Sequence, residues 1–316
     1  MSRISLCLFL TILSHQLNAQ ELKTPDDYEK AAKRHFRQGD FRRVIVLSQK
    51  GLRMRPGSLP LLNYLGQSYF YIRQYHDSMT QFQRLLHQAA QINDPKIYGL
   101  AYNNIGEIHR AKGQYQKALS FYRKALTHHE TAKQYQGVAS AYHNVARCYR
   151  AMGRHNKAIT YLNISINLKT NIRDQLGLAL SYIEMAHILE FKGQLDSSLD
   201  YLKQSKNLLK RYKSAYHLAK CYGNLGRIYY LKKLEDEALA YFQKALTLGG
   251  QVGDHRGSAI RSTHIAIIYM KRQRYKRAYS FSKRAVDIRR GLGEDLSPTE
   301  QSFHNNLKRL AHLQEG

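Results

Sequence analysis

The stretch Ala101–Leu126, AYNNIGEIHRAKGQYQKALSFYRKAL, decides the fold. Ala101, Ile105 and Ile108 recur at helical spacing, which puts them on one face of a first helix. Lys112-Gly113-Gln114 reads as a turn, with Gly113 suited to the left-handed residue that follows a helix. Tyr115–Leu126 is then a second amphipathic helix. Gly106, Ala118 and Ala125 are small enough for the two helices to approach closely. Tyr102 and Tyr122 are large enough to fill the space between them.

The same pattern extends in both directions. The small residue at 106 recurs as Ala32, Gly66, Gly106, Ala146, Ala186, Gly226 and Ala266, a step of 34 followed by five steps of 40. Ala118 heads a second such column with Ala158, Ser198, Ala238 and Ala278, and Tyr102 a third with Tyr142, Tyr182 and Tyr222. Asp94, Asp174 and Asp254 precede every second first helix as N-caps, and Pro95 stands where a first helical residue belongs. The chain therefore divides into seven helix-pair units, 25–58, 59–98, 99–138, 139–178, 179–218, 219–258 and 259–298. A stack of this kind exposes an apolar face at its end, and residues 299–316 read as the helix that covers it.

Composition agrees with a packed chain. Hydrophobic residues make up 43%, enough for a sizeable core, and 5 Pro leave little room for linkers. Three Cys are too few for a disulfide scaffold, and Cys148 and Cys221 stand at different points of their units, so both read as small buried hydrophobes. Lysine and arginine number 50 against 23 acidic residues, a net charge of +27 that favours anionic partners.

The pattern Tyr102-x-x-Ile105-Gly106 … Ala118-x-x-x-Tyr122-x-x-Ala125, with Pro56 closing the first unit, resembles the tetratricopeptide repeat family from Pro25 to about Pro298. The 40-residue step is similar to the long repeats of kinesin light chains and Pins-type spindle adaptors, and to sensor segments of exported bacterial signalling proteins. The resemblance implies an all-α, right-handed α-solenoid with a concave groove that binds peptides or proteins. It implies no chemistry by itself.

The resemblance also puts the first helix of each unit on the concave side. The face left over from packing carries Asn63 and Gln67, then Asn103, Asn104, Glu107 and Arg110. It continues with His143, Asn144, Arg147 and Arg150, with Glu184, His187 and Glu190, and with Lys220, Asn224 and Arg227. In the long-repeat relatives, Asn at the place of Asn104, Asn144 and Asn224 holds the backbone of an extended partner. An amide donates and accepts at once, which suits a peptide bond, and arginine adds charge-assisted bonds to carboxylates. The expectation is a scaffold that binds an extended, acidic protein segment. The alternatives are a solvated helix face, the sensor part of a signalling protein without its output domain, and a polyanion binder. Lys271–Arg290, with nine Lys and Arg, and Lys203–Lys213 would serve a polyanion or an anionic membrane surface. Nucleic acid ranks lower, because no base-reading motif is present.

No nucleophile elbow, phosphate loop or zinc-protease pair appears, so the expectation is a non-enzyme with no cofactor and no small-molecule substrate. The 15 His show no His-x-x-x-His spacing, and no metal is expected. At the N-terminus, basic Met1-Ser2-Arg3, apolar Ile4–Leu13 and the small Ala19 have the layout of a secretory signal. Cleavage would leave Gln20 first, with 20–24 as a lead-in to the repeats. The signal's ending resembles those of Bacteroidota-type bacteria and predicts a periplasmic or secreted protein.

Overall fold

The computed structural model describes residues 22–314, so the signal read over residues 1–19 lies outside the described residues. All regular structure among the described residues is helical, in seven antiparallel pairs and one last helix. The pairs are α1 Pro25–Gln38 with α2 Phe41–Met54, α3 Leu59–Tyr71 with α4 Tyr75–Ile92, and α5 Pro95–Ala111 with α6 Tyr115–Thr131. Next come α7 Tyr135–Ala151 with α8 His155–Asn171, and α9 Gln175–Phe191 with α10 Leu195–Arg211. The last are α11 Ala215–Leu231 with α12 Glu235–Gln251, and α13 His255–Lys271 with α14 Tyr275–Gly291, followed by α15 Pro298–Leu313.

The curvature follows from which helices touch. Each helix packs on the next in sequence, and each first helix also touches the first helix of the following unit. The first helices therefore form the crowded inner layer and the second helices the splayed outer one. That arrangement bends the stack so that the odd-numbered helices line the concave side.

Within a unit, the close approach is set by one pair of side chains. A Cβ on Gly106 would lie 2.5 Å from the Tyr122 ring, one on Gly66 2.8 Å from Phe82, and one on Gly226 2.7 Å from Phe242. Where the first helix carries alanine instead, at Ala146 and Ala186, the residue sixteen positions on is the smaller Leu162 or Leu202. Ala32 and Ala266 face Ser48 and Ser282 in the same register. All fourteen of these positions are buried. Serines in the small columns bond across the pair: Ser78 Oγ donates to the Gly66 carbonyl at 2.8 Å and Ser198 Oγ to Ala186 at 2.9 Å.

The turns inside units place Gly39, Arg73, Gly113, Gly153, Gly193, Lys233 and Gln273 in the left-handed region. The turns between units use Asn93, Lys133, Arg173, Lys213, Gly253 and Gly293 in the same way. Because of these second turns, first helices begin at Pro95, Tyr135, Gln175, Ala215 and His255, four residues before the unit starts read from the sequence. The last helix begins at Pro298 rather than 299, with Ser297 and Glu300 forming a reciprocal N-terminal cap. It buries Leu307 against Ala266 and Ala278 of the last pair.

Asp94, Asp174 and Asp254 cap their helices as their spacing predicts, accepting from the backbone N–H of Lys96, Gly177 and Gly257 at 2.8, 2.9 and 3.2 Å. Cys148 and Cys221 are buried free thiols, each pushed up to about 12 by burial.

Candidate binding groove

Each first helix has one face packed against its partner and one turned to the concave side, because its small and apolar residues recur at helical spacing. The amides on that concave face form a ladder between units. Asn104 Nδ2 donates to Asn63 Oδ1 at 3.3 Å and to the Leu100 carbonyl at 3.0 Å. One unit on, Asn144 Nδ2 donates to Asn103 Oδ1 at 3.1 Å. Asn144 is only 7% exposed, so its amide belongs as much to the wall as to the groove. Asn224 is half-buried on α11.

The arginines of the sequence reading do not stand open as free cations. Arg110 Nε donates to Glu107 Oε1 at 3.0 Å, and Arg147 Nη1 donates to Glu107 Oε2 at 2.7 Å from the next unit. Tyr122 Oη adds a bond to Glu107 at 2.5 Å. Burial pushes the Glu107 carboxyl up, but the two guanidinium charges and these hydrogen bonds outweigh it and hold it at about 2. Arg150 pairs with Glu184 and Arg227 Nη2 with Glu190 at 2.6 Å. Lys220 stands 4.2 Å above the Tyr216 ring. Burial lowers the pKa of its ammonium, with Asp254 acting the other way.

Buried between units lie charged groups that the sequence reading missed. Lys169, on a second helix, is 3% exposed and donates to Ser181 Oγ at 2.9 Å. The same hydroxyl meets His143 Nδ1 at 3.1 Å. Burial drives Lys169 down to about 8 and His143 well below the usual imidazole range. The signal was available: Lys169 shares a column with Leu209 and Gly249, where a charge is out of place. Arg261 is similarly buried against Asp254 at 2.8 Å, its guanidinium fitted among Gly223, Gly249 and Gly257.

Toward the start of the first helices the concave face widens into a cavity of about 1190 Å³. Gln67, Asn103, Asn104, Gln136, Ser140 and Gln175 line it with amides and a hydroxyl, and Lys96, Lys133, Arg173, Asp94 and Asp174 add charges of both signs. Of the residues read on this face from the sequence, Gln67, Asn103 and Asn104 border this cavity; Asn63, Arg110, His143, Asn144, Arg147, Arg150, Lys220, Asn224 and Arg227 do not line it. Among the described residues no group of His, Cys, Asp and Glu is placed to hold a metal ion.

A family model for the tetratricopeptide repeat matches residues 57–131, 97–171 and 177–249, together more than half of the chain. A search of curated proteins finds no match. Among solved structures, the APC/C hetero-tetramer Cut9–Hcn1 is similar with a TM-score of 0.66 and 17% identity over 92% of this chain and 50% of that one. A Rap protein complexed with competence and sporulation factor gives 0.62 and 12% over 96% and 89%. The Rap conjugation gene regulator of plasmid pLS20 in complex with a Phr peptide gives 0.60 and 14% over 81% and 75%.

Proposed function

Because this chain belongs to the tetratricopeptide repeat family, we propose that it is a protein-binding scaffold whose concave face holds an extended segment of another protein. The observation that carries this reading is the amide-lined cavity on the inner side of units two to five. An extended backbone presents one donor and one acceptor per residue, and a wall of amides and hydroxyls answers both. Two Rap proteins of similar fold form complexes, one with a Phr peptide and one with competence and sporulation factor, which supports a peptide-like partner.

Acidic side chains on the partner fit the groove by exchange. A partner carboxylate can take the place of Glu107, Glu184 or Glu190 on Arg147, Arg150 or Arg227, each of which is already oriented by its present partner. The N-terminal layout supports export, and the mature protein then begins at Gln20. Mass spectrometry of the N-terminal peptide of the protein from its source cell finds a chain beginning at Gln20, free or cyclised to pyroglutamate, under this proposal, whereas a chain that retains residues 3–19 rejects it.

The groove proposal is tested by affinity capture from that cell. Asn103→Ala and Arg147→Ala each weaken capture of the partner by about 1–2 kcal/mol, and only Arg147→Ala flattens its salt dependence. Replacing exposed Lys203, Lys210 and Lys283 on the outer helices by Ser leaves capture intact. Loss of capture with the outer variant alone would instead assign binding to the basic convex face.

A further inference from the structure

The turn after α1 and the start of α11 belong to the first and sixth units, yet they touch. Gly39 lies at φ +81°, and a Cβ there would come within 3.4 Å of both the Tyr216 ring and the Val252 carbonyl oxygen. Phe41 meets Tyr216 edge to face, with centroids 6.2 Å apart and planes at 87°. On its other side Phe41 stacks on Tyr71 at 4.3 Å and 7°, and Phe36 closes on Phe41 at 5.5 Å and on Tyr71 at 5.9 Å. Lys220 sits over the same Tyr216 ring.

In a stack whose units touch only their neighbours, this contact is out of pattern. It joins two edges of the groove that are otherwise linked only through the units between them. Every helix pair keeps its own core whether or not these rings meet, so separating them leaves each unit folded. The contact is also incompletely dried: Tyr71 is 40% exposed and Phe41 and Tyr216 are half-buried. A small, half-solvated aromatic contact is cheap to break compared with a unit core.

We propose that the Phe41–Tyr71–Tyr216 seam is a latch that holds the solenoid closed on itself and governs access of an extended chain to the concave face. The gating role rests on the scaffold reading above; the closure itself does not. Gly39 allows the first unit to come this close, and the stacked Phe41–Tyr71 pair presents the surface that Tyr216 meets. When the latch opens, the inner faces of α3 to α11 become reachable from the side, without threading a free end.

The test uses the full chain with Cys7→Ser, leaving the buried Cys148 and Cys221 in place. Spin labels at Arg42→Cys and Gln251→Cys, both exposed helix positions beside the seam, report its width. The expected result is one short, narrow distance in the parent and a longer, broader one in Phe41→Ala and in Tyr216→Ala. Access is read separately from Asn224→Cys with a polyethylene glycol maleimide. Modification speeds up by about threefold to tenfold in either seam variant, the shift that loss of one or two aromatic pairs permits. A small methanethiosulfonate reagent reacts at the same rate in all forms. Tyr216→Ala stands in if Phe41→Ala loosens the first unit, and circular dichroism confirms that each variant is folded. A broad, long distance in the parent, or distances and rates unchanged in both variants, overturns the latch. Failure of the capture experiment with the latch results intact would count against the scaffold reading alone.

Discussion

At Gly226 the α11 backbone lies against the Phe242 ring, and a Cβ there would sit 2.7 Å from it. The equivalent positions one and three units earlier read Ala or Gly according to whether the facing residue is Leu or aromatic, as in Ala186 with Leu202 and Gly106 with Tyr122. In the five inner pairs size is complementary across the crossing, because close-packed interiors tolerate neither void nor overlap, whereas the two end pairs, Ala32 with Ser48 and Ala266 with Ser282, are small on both sides. Gly226→Ala therefore costs about 1–3 kcal/mol by overpacking, and Phe242→Leu costs about 1–2 kcal/mol by the space it leaves. The double variant recreates the Ala186–Leu202 pair and loses about 1 kcal/mol less than the sum. Urea unfolding of the four proteins checks this, and strict additivity contradicts the pairing. This level was largely legible in the sequence: the small and aromatic columns announced themselves by period. Their matching in size becomes visible only once the structure shows that residues sixteen apart face each other.

Between elements, the groove is tied by charges that bridge units. Glu107 on α5 takes Arg110 from its own helix and Arg147 from α7, and its carboxyl is held at about 2 against an ordinary 4.5. A folded carboxyl below its unfolded value stabilises at pH above about 4.5, and that contribution is lost as pH falls from 4.5 through 2. The difference is worth up to about 3 kcal/mol for this partly buried group. In Glu107→Gln the group does not titrate, so the stability gap between wild type and variant shrinks as pH falls from 4.5 to 2. Denaturant unfolding at several pH values measures it; a gap that stays constant across that window rejects the ionic account of Glu107. The face carrying these residues could be read from helical periodicity, but their pairing could not. Glu107 and Arg147 are 40 residues apart, Arg150 and Glu184 34, and which of them meet depends on the rotation between units. First helices begin four residues before the unit starts at 99, 139, 179, 219 and 259, and only some of those beginnings are marked in the sequence. The turns between units at Asn93, Lys133, Arg173 and Lys213 are left-handed without the glycine that would have marked them.

Over the whole molecule, seven pairs curve far enough for the first to reach the sixth, a contact that no local pattern in the sequence could have foretold, since it depends on the summed rotation of the units. Pairing of Glu107, Glu184 and Glu190 with arginine quiets the inner face, so much of the +27 excess is displayed by exposed side chains such as Lys203, Lys210, Lys283 and Arg284 on the outer helices. The two surfaces thus differ in character: the outer helices display exposed cations, whereas the inner face carries amides and ion pairs, with Lys96, Lys133 and Arg173 at the border of its cavity. Binding by the wall is the central claim, and site-specific photocrosslinking in the source cell tests it most directly. A benzophenone side chain at Gln136, in the cavity, is predicted to join the chain to a segment of one protein, while the same group at Lys210 on the outer face gives no such adduct. Adducts from Lys210 and none from Gln136 would contradict it.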